Sequence, residues 1–356
     1  MEINKNRKTI NLIAGLIIGA IAAFLVKNGN PGNMGFCLAC FWRDIAGAIG
    51  LHSAAKVSYI RPEIIGFILG ACIMANIKGE FKSKGGSAPI LRFTLGFTSM
   101  IGALMFLGCP LRLILRLAGG DANAIVGLLG FICGIGIGVY FLKKGFSLGR
   151  AHEQSKIAGY FMPAFMVLLL VFLLVKPEFI VFATEGPGSK HAPIIMSIIA
   201  GLIVGSLFQR TRLCTAGAFR DIILVKDNTL FMGALGIFIG ALVMNLVFGQ
   251  FKFGFAEQPV AHSNHLWNFL GTLLMGFSSV LMGGCPIRQT VLSGQGDNDA
   301  AITVIGLIIG AAFAHNFGLA SSPEGPTVNG MIAVAICFVI NLLIASMSKR
   351  SNAWKK

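Results

Sequence analysis

Long apolar runs recur along this chain, at residues 10–26, 63–77, 90–107, 122–142, 159–175, 192–208, 231–248, 266–283, 300–320 and 329–347. A helix rises about 1.5 Å per residue, so runs of this length cross a hydrocarbon layer about 30 Å thick, with 63–77 the shortest. Inside lipid every backbone N–H and C=O must be satisfied by the segment or by neighbouring protein, which leaves helices or a closed barrel. The runs are far longer than a barrel strand, so the expected fold is an all-α polytopic membrane protein of about ten helices. Only 12% of the residues are charged, against roughly a quarter in soluble domains, and the 46 glycines suit helices that pack closely or break in mid-membrane.

Charge sets the expected topology. The formal net charge is +15, yet no basic stripe interleaved with aromatics lies outside the apolar runs, so nucleic acid is excluded as a partner and the bilayer is the surface to consider. Lys5, Arg7 and Lys8 precede a first run without a small-residue cleavage site, which reads as a spanning helix rather than a leader. With the N-terminus in the cytoplasm, the even-numbered helices return at Lys78, Lys82, Lys84 and Arg92, at Lys143, Lys144, Arg150 and Lys156, at Arg210 and Arg212, and at Lys349, Arg350, Lys355 and Lys356. All four sets are basic, as cytoplasmic loops should be. The expectation is a multi-pass inner-membrane protein with both termini cytoplasmic; the stretch 27–61, outside on this reading yet basic, is the exception.

The chain is also written twice. Gly108-Cys109-Pro110-Leu111-Arg112, closed by Asp121, returns as Gly284-Cys285-Pro286-Ile287-Arg288, closed by Asp297. Likewise Cys37 precedes Arg43-Asp44 at the spacing by which Cys214 precedes Arg220-Asp221. The offsets, 176 and 177 residues, divide the chain into repeats at 1–175 and 176–356. Five helices separate equivalent points, and an odd number turns the second half upside down, so two inverted pseudo-symmetric repeats are expected. Pro110 and Pro286 break the preceding helices, and the segments 37–50, 111–119, 214–225 and 287–295 are too short to cross, which makes them re-entrant or half-membrane elements.

Polar residues at such places mark a pathway or a binding site. Eight cysteines form neither a disulfide framework nor a four-cysteine zinc pattern, and no cofactor or metal site is evident. Cys72, Cys133 and Cys337 lie within apolar runs as packing residues, whereas Cys37, Cys109, Cys214 and Cys285 take symmetric positions. Four thiols with few carboxylates suit a soft, polarisable substrate better than a hard cation. Arg112 and Arg288 are the leading candidates for attracting an anion, with Arg116, Arg43 and Arg220 beside them; Asp44, Asp121, Asp221 and Asp297 would hold the arginines. The competing reading of the Arg-Asp pairs is that they only join the repeats. His262 and His265 read as part of an interfacial loop with Trp267. His315, inside a span, is either a hydrogen-bonded core histidine or a pathway residue. No Gly-x4-Gly-Lys-Ser/Thr loop is present, so the driving force is a gradient, a partner or intracellular consumption.

These repeated elements resemble the YeeE/YedE family of sulfur-transport membrane proteins over essentially the whole length. The resemblance is strongest to the branch associated with selenium transport, through Cys37-Leu-Ala-Cys40, Arg43-Asp-Ile-Ala-Gly, the run from Gly108 to Asp121, Phe146-Ser-Leu-Gly, Gln258-Pro-Val-Ala-His262, His265-Leu-Trp-Asn-Phe-Leu-Gly and Ala314-His-Asn-Phe-Gly-Leu-Ala-Ser-Ser322. It implies an hourglass-shaped fold with mid-membrane loops and a substrate passed between cysteines by S–H···S hydrogen bonds. By matching motif, Cys109 and Cys285 would be relay thiols, with Cys37 and its mate Cys214. Cys40 has Gly217 as its counterpart and no cysteine mate. The expected function is import of a small selenium- or sulfur-containing anion by a non-enzymatic transporter, with a small cytosolic sulfur- or selenium-carrier protein as a candidate partner. Two alternatives stay open: a membrane thiol oxidoreductase or sulfur-transfer enzyme using Cys37 and Cys40 as a redox pair, and a soft-metal channel.

Overall fold

A computed structural model describes residues 2–348, with the side chains of 2–5 left aside. Lys349, Arg350, Lys355 and Lys356, counted above among the cytoplasmic charges, lie outside the described residues, as does the side chain of Lys5. Fourteen helices carry the fold: α1 (Glu2–Lys27), α2 (Leu38–Ala48), α3 (Pro62–Ile77), α4 (Pro89–Phe106), α5 (Pro110–Ala118), α6 (Asn123–Lys143), α7 (Phe161–Val175), α8 (Ile194–Thr211), α9 (Thr215–Val225), α10 (Thr229–Val247), α11 (His265–Leu281), α12 (Pro286–Gly294), α13 (Asn298–Asn316) and α14 (Val328–Met347). Two single-turn helices and one two-residue strand pair, β1 (Lys84–Gly85) with β2 (His152–Glu153), sit in loops. Eight helical stretches are long and apolar enough to span a membrane, and α3 and α7 are shorter apolar helices, which gives the ten expected runs. The protein is an all-α multi-pass membrane protein.

The four short segments are helices of their own. Pro110 and Pro286 stand at the first turn of α5 and α12, where a missing N–H is harmless, and their rings stop α4 and α11 from continuing. Leu107 sits in the left-handed region at φ 60°, and its counterpart Gly283 at φ 86°. A Cβ on Gly108 or Gly284 would meet the side chain of Arg112 or Arg288, at 3.0 and 2.8 Å. The glycine of each Gly-Cys-Pro therefore leaves room for the arginine that follows.

Packing repeats as the sequence does. Helix α1 packs on α10 as α8 packs on α3, α6 on α11 as α13 on α4, α5 on α10 as α12 on α3, and α2 on α13 as α9 on α6. Each pair joins one half to the other, so neither half forms a core alone. Small residues set the closeness: Gly15 and Gly19 lie on α10, and Gly201 and Gly205 on α3, where an added Cβ would fall 2.0–2.4 Å from facing backbone oxygens. The linking loops repeat too. Lys252 N–H donates to Gly119 O and Gly254 N–H to Gly120 O, while Lys82 N–H donates to Gln295 O and Lys84 N–H to Gly296 O. Gly120 and Gly296 make these turns at φ 92° and 94°. The last helices depart from the pattern: α7 packs on α3 and α12, but α14 packs on α4 and α11.

The loops fall into two groups. One joins residues 78–88, 147–155, 209–212 and 295–299, through Gln209–Glu80, Lys84–Asp297 and the β1–β2 pair. The other joins 51–61 to 183–190 and 316, through Arg61 to the Lys190 and Pro187 carbonyls and Asn316 to Leu51 O. These are the two sides that the loop charges separate. The exception at 27–61 has a structural cause: Arg43 and Arg61 are buried on Asp44, so neither is a loop charge facing water or lipid headgroups.

Candidate functional site

Each half closes on a buried thiol cluster at the start of two short helices. Cys37 is the N-cap of α2 with φ −138° and ψ 99°, and its Sγ accepts from Cys40 N–H at 3.4 Å. Cys214 is the N-cap of α9 with φ −148° and ψ 121°, and its Sγ accepts from Gly217 N–H at 3.3 Å. Cys109 and Cys285 cap α5 and α12 in extended conformations. The backbone N–H groups of Ala39 and Arg112 face Cys109 Sγ, and those of Ala216 and Arg288 face Cys285 Sγ. One sulfur in each half thus lies against the first turns of two helices, the end where the helix dipole favours negative charge.

The clusters differ in detail. In the first, Cys37 Sγ donates to Cys40 Sγ at 2.8 Å and Cys109 is an electrostatic neighbour of the Cys37 thiol. In the second, Cys214 and Cys285 Sγ atoms are 3.5 Å apart, and Thr215 Oγ1 donates to Cys285 Sγ at 3.1 Å. Cys40, the cysteine without a mate, belongs to the first cluster, and a hydroxyl accompanies the second. Thr215 was not singled out from the sequence; its adjacency to Cys214 was the available signal. The Cys37, Cys40, Cys109 and Cys285 side chains are wholly buried, and Cys214 is 5% exposed.

The arginines have diverged more. Arg112 is fully buried and donates to the carbonyls of Leu107, Asn33 (3.3 Å), Pro259 (3.1 Å) and Val260 (3.2 Å), with Nη1 3.6 Å from Cys40 Sγ. Arg288 Nη1 is buried with no hydrogen-bond partner, and the electrostatic neighbours of this side chain are Cys214, Arg212, Cys285 and Asp297. Residues 258–262, part of the motif expected at an interfacial loop, fold inward instead: two of their carbonyls hold Arg112, and His262 Nε2 lies 2.8 Å from Met105 O.

The aspartates do not hold the arginines of the Gly-Cys-Pro motifs. Asp121 takes Arg116 Nε at 2.6 Å and Asn123 N–H at 3.0 Å, and Arg116 also lies over Phe106. Asp297 caps α13 through Ala300 N–H and faces Lys84 at 3.3 Å. Asp44 holds both Arg43 and Arg61, all 3% exposed or less, whereas Arg220 and Asp221 pair at 2.8 Å while 27% and 20% exposed. Arg61 was not anticipated, because it stands seventeen positions along the chain from the carboxylate it meets, beyond the end of α2.

Two cavities flank the clusters. One, about 330 Å³, reaches Cys214, Arg288 and Arg220 from the side of Arg7 and Arg212. The other, about 570 Å³, reaches Arg43 and His315 from the side of Lys56 and Glu324. His315 packs against His52 with ring centres 4.7 Å apart and the planes tilted by 31°, and its Nε2 has no hydrogen-bond partner among the described residues. Among the described residues no group of three or more His, Cys, Asp or Glu could hold a metal ion.

Residues 210–353 match the family model described as sulphur transport. The thiosulfate transporter TsuA of Spirochaeta thermophila is 39% identical over 103 residues, 28% of this chain and 31% of that protein. The thiosulfate transporter TsuA of Escherichia coli is 31% identical over 104 residues, 29% of each. The alignments therefore cover less than a third of these relatives' length. The matched stretch, which holds Cys214 and the Gly284-Cys285-Pro286 element, is similar to the sulphur transport family and to these thiosulfate transporters.

Proposed function

We propose that this protein imports a small sulfur-containing anion, thiosulfate or a selenium analogue of similar shape, along the thiols Cys37, Cys109, Cys285 and Cys214. The observation that carries the proposal is the doubled sulfur site, in which Cys109 and Cys285 each sit against backbone N–H groups at the starts of two helices, beside the thiols of Cys37 and Cys214. Such a site offers partial positive charge and a soft, weakly donating thiol together. A species with an anionic end and a polarisable end gains from both without the hard donor cage that sulfate or phosphate would need. The names of the relatives favour thiosulfate as the first substrate to try.

On this reading the halves 1–175 and 176–356 are inverted repeats whose interface is the pathway, and the termini are cytoplasmic in an inner membrane. The 570 Å³ cavity is then the outer mouth, and the 330 Å³ cavity the inner one. A small cytosolic sulfur- or selenium-carrier protein would receive the substrate at the inner mouth. His315 and Arg43 line the entry.

The test is uptake of radiolabelled thiosulfate, with selenite as competitor, in cells lacking other importers. Cys109→Ala and Cys285→Ala should each abolish uptake, while Cys72→Ala should leave it intact. Uptake indifferent to Cys109 and Cys285, with the protein present in the membrane, would refute the thiol pathway. Trapping of a persulfide at Cys37 without any change in uptake would favour a sulfur-transfer enzyme instead.

A further inference from the structure

The two repeats should bind an anion alike if their arginines were alike, and they are not. Arg112 and Arg288 occupy equivalent places, each over the glycine of its Gly-Cys-Pro. The loop before α11, residues 248–264, is longer than its counterpart before α4, residues 78–88. The additional length carries Pro259 and Val260, whose carbonyls take Nη2 of Arg112, while Leu107 O takes its Nη1 and Asn33 O its Nε. Among the described residues no equivalent carbonyls reach Arg288, and its Nη1 stays buried and unpartnered.

Arg288 is half-buried, but its buried Nη1 without an acceptor is costly, and the usual remedy is a ligand that supplies one. Arg288 lines a cavity whose wall holds four arginines, Arg7, Arg212, Arg220 and Arg288, against two aspartates, Asp221 and Asp227. Both aspartates are engaged, Asp221 by Arg220 and Asp227 by the Thr229 backbone N–H and hydroxyl. Arg212 lies 3.6 Å from Glu80. Asp227 also faces Arg7 and Lys8, so the positive charge left without a counter-charge is at Arg288, and Cys214 also lines the cavity.

We infer that the cavity at Arg288 is a tetrahedral-oxyanion site, present on this side only, that holds the oxygen end of the anion on Arg288 with the opposite end toward Cys214. This deepens the transport reading and rests on it for the identity of the cargo, but the site is defined by the arginine and not by the relay. Sulfate has the oxygen end and lacks the soft end. It should bind here and compete with thiosulfate without following the thiols.

The test is calorimetric titration of the purified full chain in detergent with sulfate and with thiosulfate. Both should bind the wild type and compete. Arg288→Gln should weaken both about ten- to hundredfold, the loss expected for a charge-assisted hydrogen bond. Arg288→Lys should lose less, since it keeps the charge without the fork, and it carries the test if the glutamine variant fails to fold. Unchanged affinity in both variants, or no oxyanion binding by the wild type at 10 mM, overturns the site. If sulfate binding depends on Arg288 while thiosulfate uptake is absent from cells, the site stands and the transport reading fails.

Discussion

The pseudo-symmetric pair Asp44 and Asp221 allows one chemical change to be made at two equivalent places with opposite surroundings. Asp44 accepts from Arg43 Nε at 2.9 Å, Arg43 Nη2 at 2.7 Å and Arg61 Nε at 2.7 Å, and no partner is more than 3% exposed. Asp44→Asn would leave two buried guanidiniums without a counter-charge. Breaking a buried pair by removing one partner costs about 3–5 kcal/mol, and here two cations lose the same partner. Asp221→Asn removes one contact between groups 27% and 20% exposed, which water can replace at about 0–1 kcal/mol. The assay is thermal stability in detergent, read as the fraction of protein that stays monodisperse after heating. Asp44→Asn should lower the midpoint at least three times as far as Asp221→Asn. Equal shifts would refute the reasoning, because they would mean that burial does not separate the two pairs.

Three further outcomes are expected. Gly134→Ala should destabilise by about 1–3 kcal/mol, since its Cβ would stand 2.0 Å from Leu273 O, whereas Gly136→Ala, with nothing within 4 Å, should be neutral or slightly stabilising in the same melt. Trp42→Phe should cost about 1 kcal/mol through loss of the Nε1–H bond to Thr290 Oγ1 at 3.2 Å, and Trp42→Phe combined with Thr290→Val should cost less than the sum of the single changes. For the proposed orientation, Glu324→Cys should react with an impermeant maleimide in intact cells and Asp227→Cys only after permeabilisation; the reverse pattern would invert the protein.

What could be read from residues alone was the part governed by backbone chemistry and by repetition. A run of fifteen or more apolar residues has one way to satisfy its backbone in lipid, so the eight long helical stretches and the two shorter apolar helices followed from hydropathy. Proline after Gly-Cys has one common consequence, a new helix start, so α5 and α12 were legible, and the equal offsets paired them. The cysteine positions came from the same repetition. Partner choice was not legible. Asp121 and Asp297 sit alike in sequence, yet one holds Arg116 and the other caps α13 beside Lys84. Arg61 reaches Asp44 across a loop, and no spacing rule links them.

The fate of the paired arginines shows where the sequence ends. It determined that both exist, at matching places, with glycine beside each. Tertiary structure alone decided that Arg112 is a bolt and Arg288 is open, because the deciding atoms are backbone carbonyls at 259 and 260, which carry no side-chain signature and reach Arg112 only through the folding of a longer loop. Hydropathy and repetition are local properties that a residue string contains; a guanidinium's acceptors are whatever the fold brings within hydrogen-bond reach.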